Sequence, residues 1–227
     1  MSYFSVAVDG PAGAGKSTLA RAAAERLGFV YVDTGAIYRT VGLAVKRAGI
    51  DRQDASAVAA LLPGLSISIR YADGVQHMLL DGEDVSGLIR TPEMSEYASS
   101  VSALPAVRAF LMEMQRQMAR EHDVIMDGRD IGTVVLPDAG LKVFLTASPE
   151  KRAMRRFKEL TEKGTAVTYE EVLADMNARD EKDTTRAAAP LRAAEDAVLL
   201  DTSDLTLEES VDALEGLIRQ RMKEGQA

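Results

Sequence analysis

The sequence predicts an α/β fold, a parallel β-sheet with helices on both faces. Three observations predict it. Short apolar, β-leaning runs alternate with helical stretches along most of the chain. A glycine-rich turn joins the first such run to the first helix. One region, from about Pro63 to Leu104, breaks the alternation and reads as an insert carried by the main sheet.

Tyr3–Asp9 is the first strand, with Val6 and Val8 as its β-branched residues. Lys16–Leu27 follows as a helix with Gly28 as its C-cap. Phe29–Asp33 is a second short strand, and a helix runs from about Ala36 to Ala48. Leu65–Tyr71 alternates apolar and polar residues, and Val75–Asp81 returns after Ala72-Asp73-Gly74, the pattern of a β-hairpin. Helices are expected at about Glu93–Ala103 and at Pro105–Glu121. Asp123–Asp127, Leu141–Ala147 and Ala197–Asp201 are the remaining strands. Ser148-Pro149 opens a basic helix, and capping boxes at Thr168–Glu171 and Thr206–Glu209 start two more, the last reaching about Lys223.

A chain of 227 residues suits one large domain or a domain with an insert. The absence of cysteine excludes disulfides, zinc-thiolate sites and thiol nucleophiles. His77 and His122 are too few and too scattered for a histidine metal site. A formal net charge of −8 argues against a sequence-independent grip on nucleic acid. It does not exclude a small anionic ligand, because a local arginine cluster can hold phosphate on an acidic protein. No apolar run approaches the length of a membrane span, and the first residues do not resemble a signal peptide. A cytoplasmic monomer with no membrane partner is the expectation.

Gly10-Pro11-Ala12-Gly13-Ala14-Gly15-Lys16-Ser17, continued by Thr18, is a complete G-x-x-x-x-G-K-S/T loop. Glycines let backbone N–H groups turn inward around a polyphosphate, and the following helix aims its positive end at the same anion. Lys16 supplies an ammonium for the β- and γ-phosphates, and Ser17 a hydroxyl for Mg²⁺. Asp127 ends an apolar strand, where a magnesium-side carboxylate would sit; it could equally just end the strand at Gly128. Asp9, ending the first strand, reads as a support behind the loop.

No N-K-x-D segment marks a GTPase, and no L-S-G-G-Q segment marks an ABC-type ATPase. Both absences favour a small-molecule kinase. Arg39 and Arg129 follow predicted strand ends, the edge where open α/β sheets bind ligands. Arg179, Asp183 and Arg186 are spaced to share one helix face, which suits a sugar and phosphate site and suits an ordinary surface ion pair as well. Arg152, Arg155 and Arg156 could close over a transferring phosphoryl group, with Gly164 as a hinge, or could be a solvated face.

Six segments together resemble the bacterial cytidylate kinases, a branch of the nucleoside monophosphate kinases. They are Asp9–Ser17, Asp33-Thr-Gly-Ala-Ile-Tyr-Arg39, Gly82–Ser86, Ile89–Thr91, Asp127-Gly-Arg-Asp-Ile-Gly-Thr133 and Arg186–Leu191. The resemblance spans nearly the whole chain. It implies a five-stranded parallel sheet of the P-loop type, with residues 1–62 and 105–227 as core, 63–104 as an enlarged acceptor-binding insert, and a short lid at about 150–170. It implies transfer of a phosphoryl group from ATP, with Mg²⁺, to CMP or dCMP. Lys16, Arg39, Arg129, Arg152 and Arg156 would be the catalytic cations, and Ser17 and Asp127 the metal-side pair. Thr34, Tyr38 and Arg39 would line the acceptor site, with Arg39 and Arg129 on its phosphate. Ser99, Arg108 and Asp130 would read the cytosine edge, Arg179 and Asp183 would hold the ribose, and Arg186 would lie beside the base. The competing expectations are a P-loop kinase for another small acceptor and a nucleotide-binding module without turnover.

Overall fold

Alternating strands and helices assemble into a five-stranded parallel sheet whose strands are, in spatial order, Val30–Asp33, Val124–Asp127, Ser5–Asp9, Leu141–Thr146 and Val198–Asp201. The structure is a computed structural model and describes residues 3–162 and 164–225. The strands are β1 (Ser5–Asp9), β2 (Val30–Asp33), β6 (Val124–Asp127), β7 (Leu141–Thr146) and β8 (Val198–Asp201). β1 lies in the centre, with Ser5 opposite Val124 on one side and Val6 opposite Leu141 on the other. The pleat sends alternate residues to opposite faces. Val6, Val8 and Ile125 pack with α1 (Lys16–Leu27) and α8 (Leu207–Glu224), while Ala7, Val124 and Met126 pack with α2 (Thr34–Arg47) and α5 (Pro105–Glu121). Both faces are therefore covered, as a parallel sheet requires.

Residues 67–84 form a small antiparallel sheet, β3 (Ile67–Ala72), β4 (Val75–Leu80) and the two-residue β5 (Glu83–Asp84), followed by α4 (Pro92–Val101). Asp73 and Gly74 both take positive φ, 51° and 73°, as a two-residue hairpin turn with matching strand twist demands. This sheet leans on the free edge of β2. The Gln76 side chain accepts from Asp33 N–H at 2.7 Å and donates to the Asp33 carbonyl at 3.2 Å. Tyr71 donates its hydroxyl to the Tyr31 carbonyl at 3.0 Å. Side chains thus satisfy backbone groups that an edge strand would leave open.

Several elements differ from the sequence expectation. α2 begins at Thr34 rather than Ala36, because the Asp33 carboxylate caps the Ala36 N–H at 2.8 Å. A short helix, α3 (Ala55–Leu61), is capped by Asp54 on two backbone N–H groups. A single π-helical turn occupies Ile131–Val135. α6 (Pro149–Glu162) and α7 (Tyr169–Thr185) pack against each other through Ala153, Val172 and Met176. Lys163, within the expected lid, lies outside the described residues. No described helix is long and apolar enough to cross a membrane.

Candidate active site

The glycine-rich loop connects β1 to α1 at the C-terminal edge of the sheet. A Cβ on Gly10 would stand 1.9 Å from the Leu145 carbonyl oxygen, so only hydrogen fits there. Gly15, with φ of 88°, turns the chain into α1 in a conformation that side chains disfavour. Lys16 is 5% exposed and donates to the Pro11 carbonyl at 2.7 Å. Its ammonium has three donors, which leaves two for an anion in the loop. Burial, and then the charge of Arg129, push the Lys16 pKa down.

Asp127 stands beside the loop on β6. Its Oδ2 accepts from the Ser17 hydroxyl at 2.8 Å, and its Oδ1 accepts from the Tyr31 hydroxyl at 2.8 Å. Burial, and then the nearby charge of Asp33, raise the Asp127 pKa. A hydroxyl paired with one carboxylate fits Mg²⁺, which takes one or two protein carboxylates and completes its shell with phosphates and waters. Among the described residues no three His, Asp or Glu side chains gather around a common point.

Cations gather around Asp33, at the end of β2. Asp33 is paired by Arg39 at 3.1 Å and by Arg90 at 2.8 Å. Burial opposes the Asp33 charge, but the two arginines outweigh it and hold its pKa below the usual range. The Arg39 Nε is buried without a hydrogen-bond partner among the described residues, a donor left for an incoming anion. Arg129 donates from Nε to Asp183 at 2.8 Å. Burial, and then the charge of Arg129, lower the Arg179 pKa, while Asp183 and Asp175 work against that.

A second polar group lies where Asp130 follows β6. Asp130 is 5% exposed, bonded by Arg108 and met by Arg186 at 3.3 Å. Burial raises the Asp130 pKa even so, with Arg108 and Arg186 opposing. The Arg108 guanidinium also lies over the Tyr38 ring, 6.0 Å from its centroid. Asp9 closes the floor, accepting from the N–H groups of Ile131 at 2.8 Å and Gly132 at 2.7 Å. Burial raises the Asp9 pKa to about 6.

The sequence-predicted residues are thus brought together with four differences. Thr34 does not turn its hydroxyl to open space; it donates to the Asp127 carbonyl at 2.7 Å and fixes that strand end. The serine touching the arginines is Ser102, whose carbonyl accepts from Arg108 at 3.3 Å and whose hydroxyl meets Arg186 at 3.5 Å, whereas Ser99 offers its carbonyl to the Ser102 hydroxyl. Arg186 does not share the helix face of Arg179 and Asp183, because α7 ends at Thr185 and Arg186 takes an extended ψ of 139°. Arg152 is buried rather than part of a free closing segment. It donates to the Ala147 and Ala12 carbonyls, both at 2.9 Å, and pairs with Asp180 at 2.7 Å. Arg155 donates to the Thr202 carbonyl at 2.6 Å, and Arg156, partly exposed, pairs with Glu159 at 2.8 Å. Sequence reasoning assigned nothing to Arg90, Gln76, Tyr31 or Ser102. Arg90 stood inside a segment already singled out, and the other three carried no local signal.

The chain is similar to proteins named cytidylate kinase. The sequence profile of the cytidylate kinase family matches residues 6–220. The cytidylate kinase of Caldicellulosiruptor bescii is 50% identical over 209 residues, covering 92% of each chain. That of Carboxydothermus hydrogenoformans is 50% identical over 216 residues, covering 95% of this chain and 97% of its own. That of Pasteurella multocida is 46% identical over 217 residues, covering 96% of each. With the loop, the Ser17–Asp127 pair and the Asp130 cluster in one chain that matches the family over residues 6–220, this protein belongs to the cytidylate kinase family.

Proposed function

We propose that this enzyme transfers the γ-phosphoryl group of ATP to CMP or dCMP, giving CDP or dCDP, and acts as a monomer. The carrying observation is Asp130, a buried carboxylate aligned by Arg108 and Arg186 on the same sheet edge as the phosphate loop. A carboxylate accepts from the exocyclic amino group of cytosine; uracil has a carbonyl there and would leave it facing an acceptor. Losing such a match costs far more than losing an apolar contact. Arg39 and Arg129 suit the acceptor phosphate, Thr34 and Tyr38 the lining of its site, Arg179 and Asp183 the ribose, and Ser99, Arg108 and Arg186 the base beside Asp130.

The loop N–H groups and Lys16 bind the donor phosphates. Ser17 and Asp127 would hold Mg²⁺, which supplies charge neutralisation on those phosphates. The attacking oxygen of the acceptor phosphate is already anionic, so no general base is needed. Catalysis here is alignment plus charge stabilisation, and Lys16, Arg39, Arg129 and Arg179 supply both. Arg152, bonded to the Ala12 carbonyl, ties α6 and α7 to the loop, so a movement of that pair is felt at the phosphates.

An ADP-release assay with ATP, Mg²⁺ and each of CMP, dCMP, UMP, AMP, GMP and shikimate tests the reading. Turnover should be led by CMP or dCMP. Turnover led by another acceptor would overturn the base-reading assignment, and silence with all six would leave a binding module.

A further inference from the structure

Asp127 has two carboxylate oxygens, and different neighbours hold them. Oδ2 faces Ser17 at 2.8 Å, and Oδ1 receives the phenolic hydrogen of Tyr31 at 2.8 Å. A carboxylate held at one oxygen presents the other in a fixed direction. A carboxylate free at both oxygens can rotate about its terminal torsion, which is a soft one.

The phenol is itself clamped. Tyr31 is 6% exposed. The Arg21 guanidinium lies over its ring, 5.3 Å from the centroid. The Tyr71 hydroxyl holds its carbonyl at 3.0 Å. Register explains the pairing: Tyr31 lies on β2 opposite Ile125, two residues before Asp127 on the neighbouring strand.

We propose that Tyr31 is a positioning residue for the metal side of the site, aiming Asp127 Oδ2 at the Ser17 hydroxyl so that the pair is ready for a divalent cation. Its side chain bonds the carboxylate oxygen that Ser17 does not use. The inference rests on the reading of Ser17 and Asp127 as the metal pair. Groups that orient metal-side carboxylates typically carry 10–100-fold in metal affinity, so Tyr31→Phe should weaken metal binding by about 10-fold or more.

The test measures binding of Mn²⁺ to the ADP complex by electron paramagnetic resonance, together with thermal melting and the KM for CMP. Tyr31→Phe should weaken Mn²⁺ binding about 10-fold and leave the KM for CMP within about twofold. Tyr71→Phe, which removes the contact to the Tyr31 carbonyl alone, should leave Mn²⁺ binding unchanged. Unchanged Mn²⁺ affinity in Tyr31→Phe would overturn the proposal. So would an equal loss in both variants, which would mean general loosening of β2. If Ser17→Ala and Asp127→Asn weaken Mn²⁺ binding and Tyr31→Phe does not, only this inference fails. If none of the three does, the metal-pair reading fails with it. A measurement on the unaltered protein stands beside these should Tyr31→Phe not fold. The Tyr31 hydroxyl proton should stay protected from exchange when Mg²⁺ and ADP are saturating, and its loss of protection would refute the role.

Discussion

Replacing Asp130 with asparagine separates its two roles, brace and reader. The side chain keeps its shape and loses its charge. Asp130 is 5% exposed and faces two guanidinium groups, of Arg108 and Arg186. Breaking a buried ion pair by removing one partner costs about 3–5 kcal/mol. Two features reduce that here. The asparagine oxygen still accepts one hydrogen bond, and the raised pKa of Asp130 shows that its charge is held against a burial cost. A loss of about 1–3 kcal/mol in unfolding free energy is therefore expected, read from urea denaturation. Selectivity should fall as well. A carboxylate matched to the cytosine amino group carries about 1–3 kcal/mol of discrimination, which is about 5- to 150-fold in the ratio of kcat/KM for CMP over UMP. Steady-state ADP release with both acceptors measures that ratio. If stability falls and the ratio stays within about twofold of the original, Asp130 only braces the arginines and the base-reading argument is wrong.

Three further outcomes are expected. Gly10→Ala would place a Cβ 1.9 Å from the backbone oxygen of Leu145 at a φ of 148°, so it should lose about 2–5 kcal/mol, and an unchanged denaturation midpoint would refute the close approach. Arg152→Ala should lose about 3–5 kcal/mol and weaken ATP binding in calorimetry, because it strands Asp180 and the Ala12 carbonyl, whereas Arg156→Ala should change stability by less than about 0.5 kcal/mol. Asp9 has a pKa raised from 3.8 to about 6, so the folded state binds its proton more tightly than the unfolded chain does. Its contribution to stability therefore grows as pH falls from above 6 towards 3.8, by about 3 kcal/mol at most, and Asp9→Asn should remove that slope between pH 7 and 5 in urea titrations.

The parts of this structure legible in the sequence are those written locally. The phosphate loop is one continuous motif. The five strands announce themselves as short apolar runs, and both capping boxes lie within four residues. The parts that were not legible depend on distant neighbours. The π-helical turn at Ile131–Val135 hangs from Asp9, 122 residues away in sequence, and nothing in its own residues marks it. Tyr31 reaches Asp127 across 96 residues. Ser102 rather than Ser99 meets the arginines because α4 ends at Val101 and exposes the next backbone carbonyl, a matter of where a helix stops. Helix ends are the least certain part of any periodicity argument, and the same weakness put Arg186 on a helix face it does not occupy.

The central position of β1 has a consequence during synthesis. The strand that carries the phosphate loop is synthesised well before either of its neighbours: Ser5 waits for Val124, and Val6 for Leu141. At about 5–20 residues per second that wait is roughly 6–24 s for the first partner alone. Through that interval an apolar strand with two open edges is tethered to a glycine-rich loop and a helix that have no sheet to rest on. Nascent chains that end before Val124 should therefore be protease-sensitive throughout and dependent on chaperone cover, and the loop should gain its ability to hold phosphate only as β6 and β7 emerge.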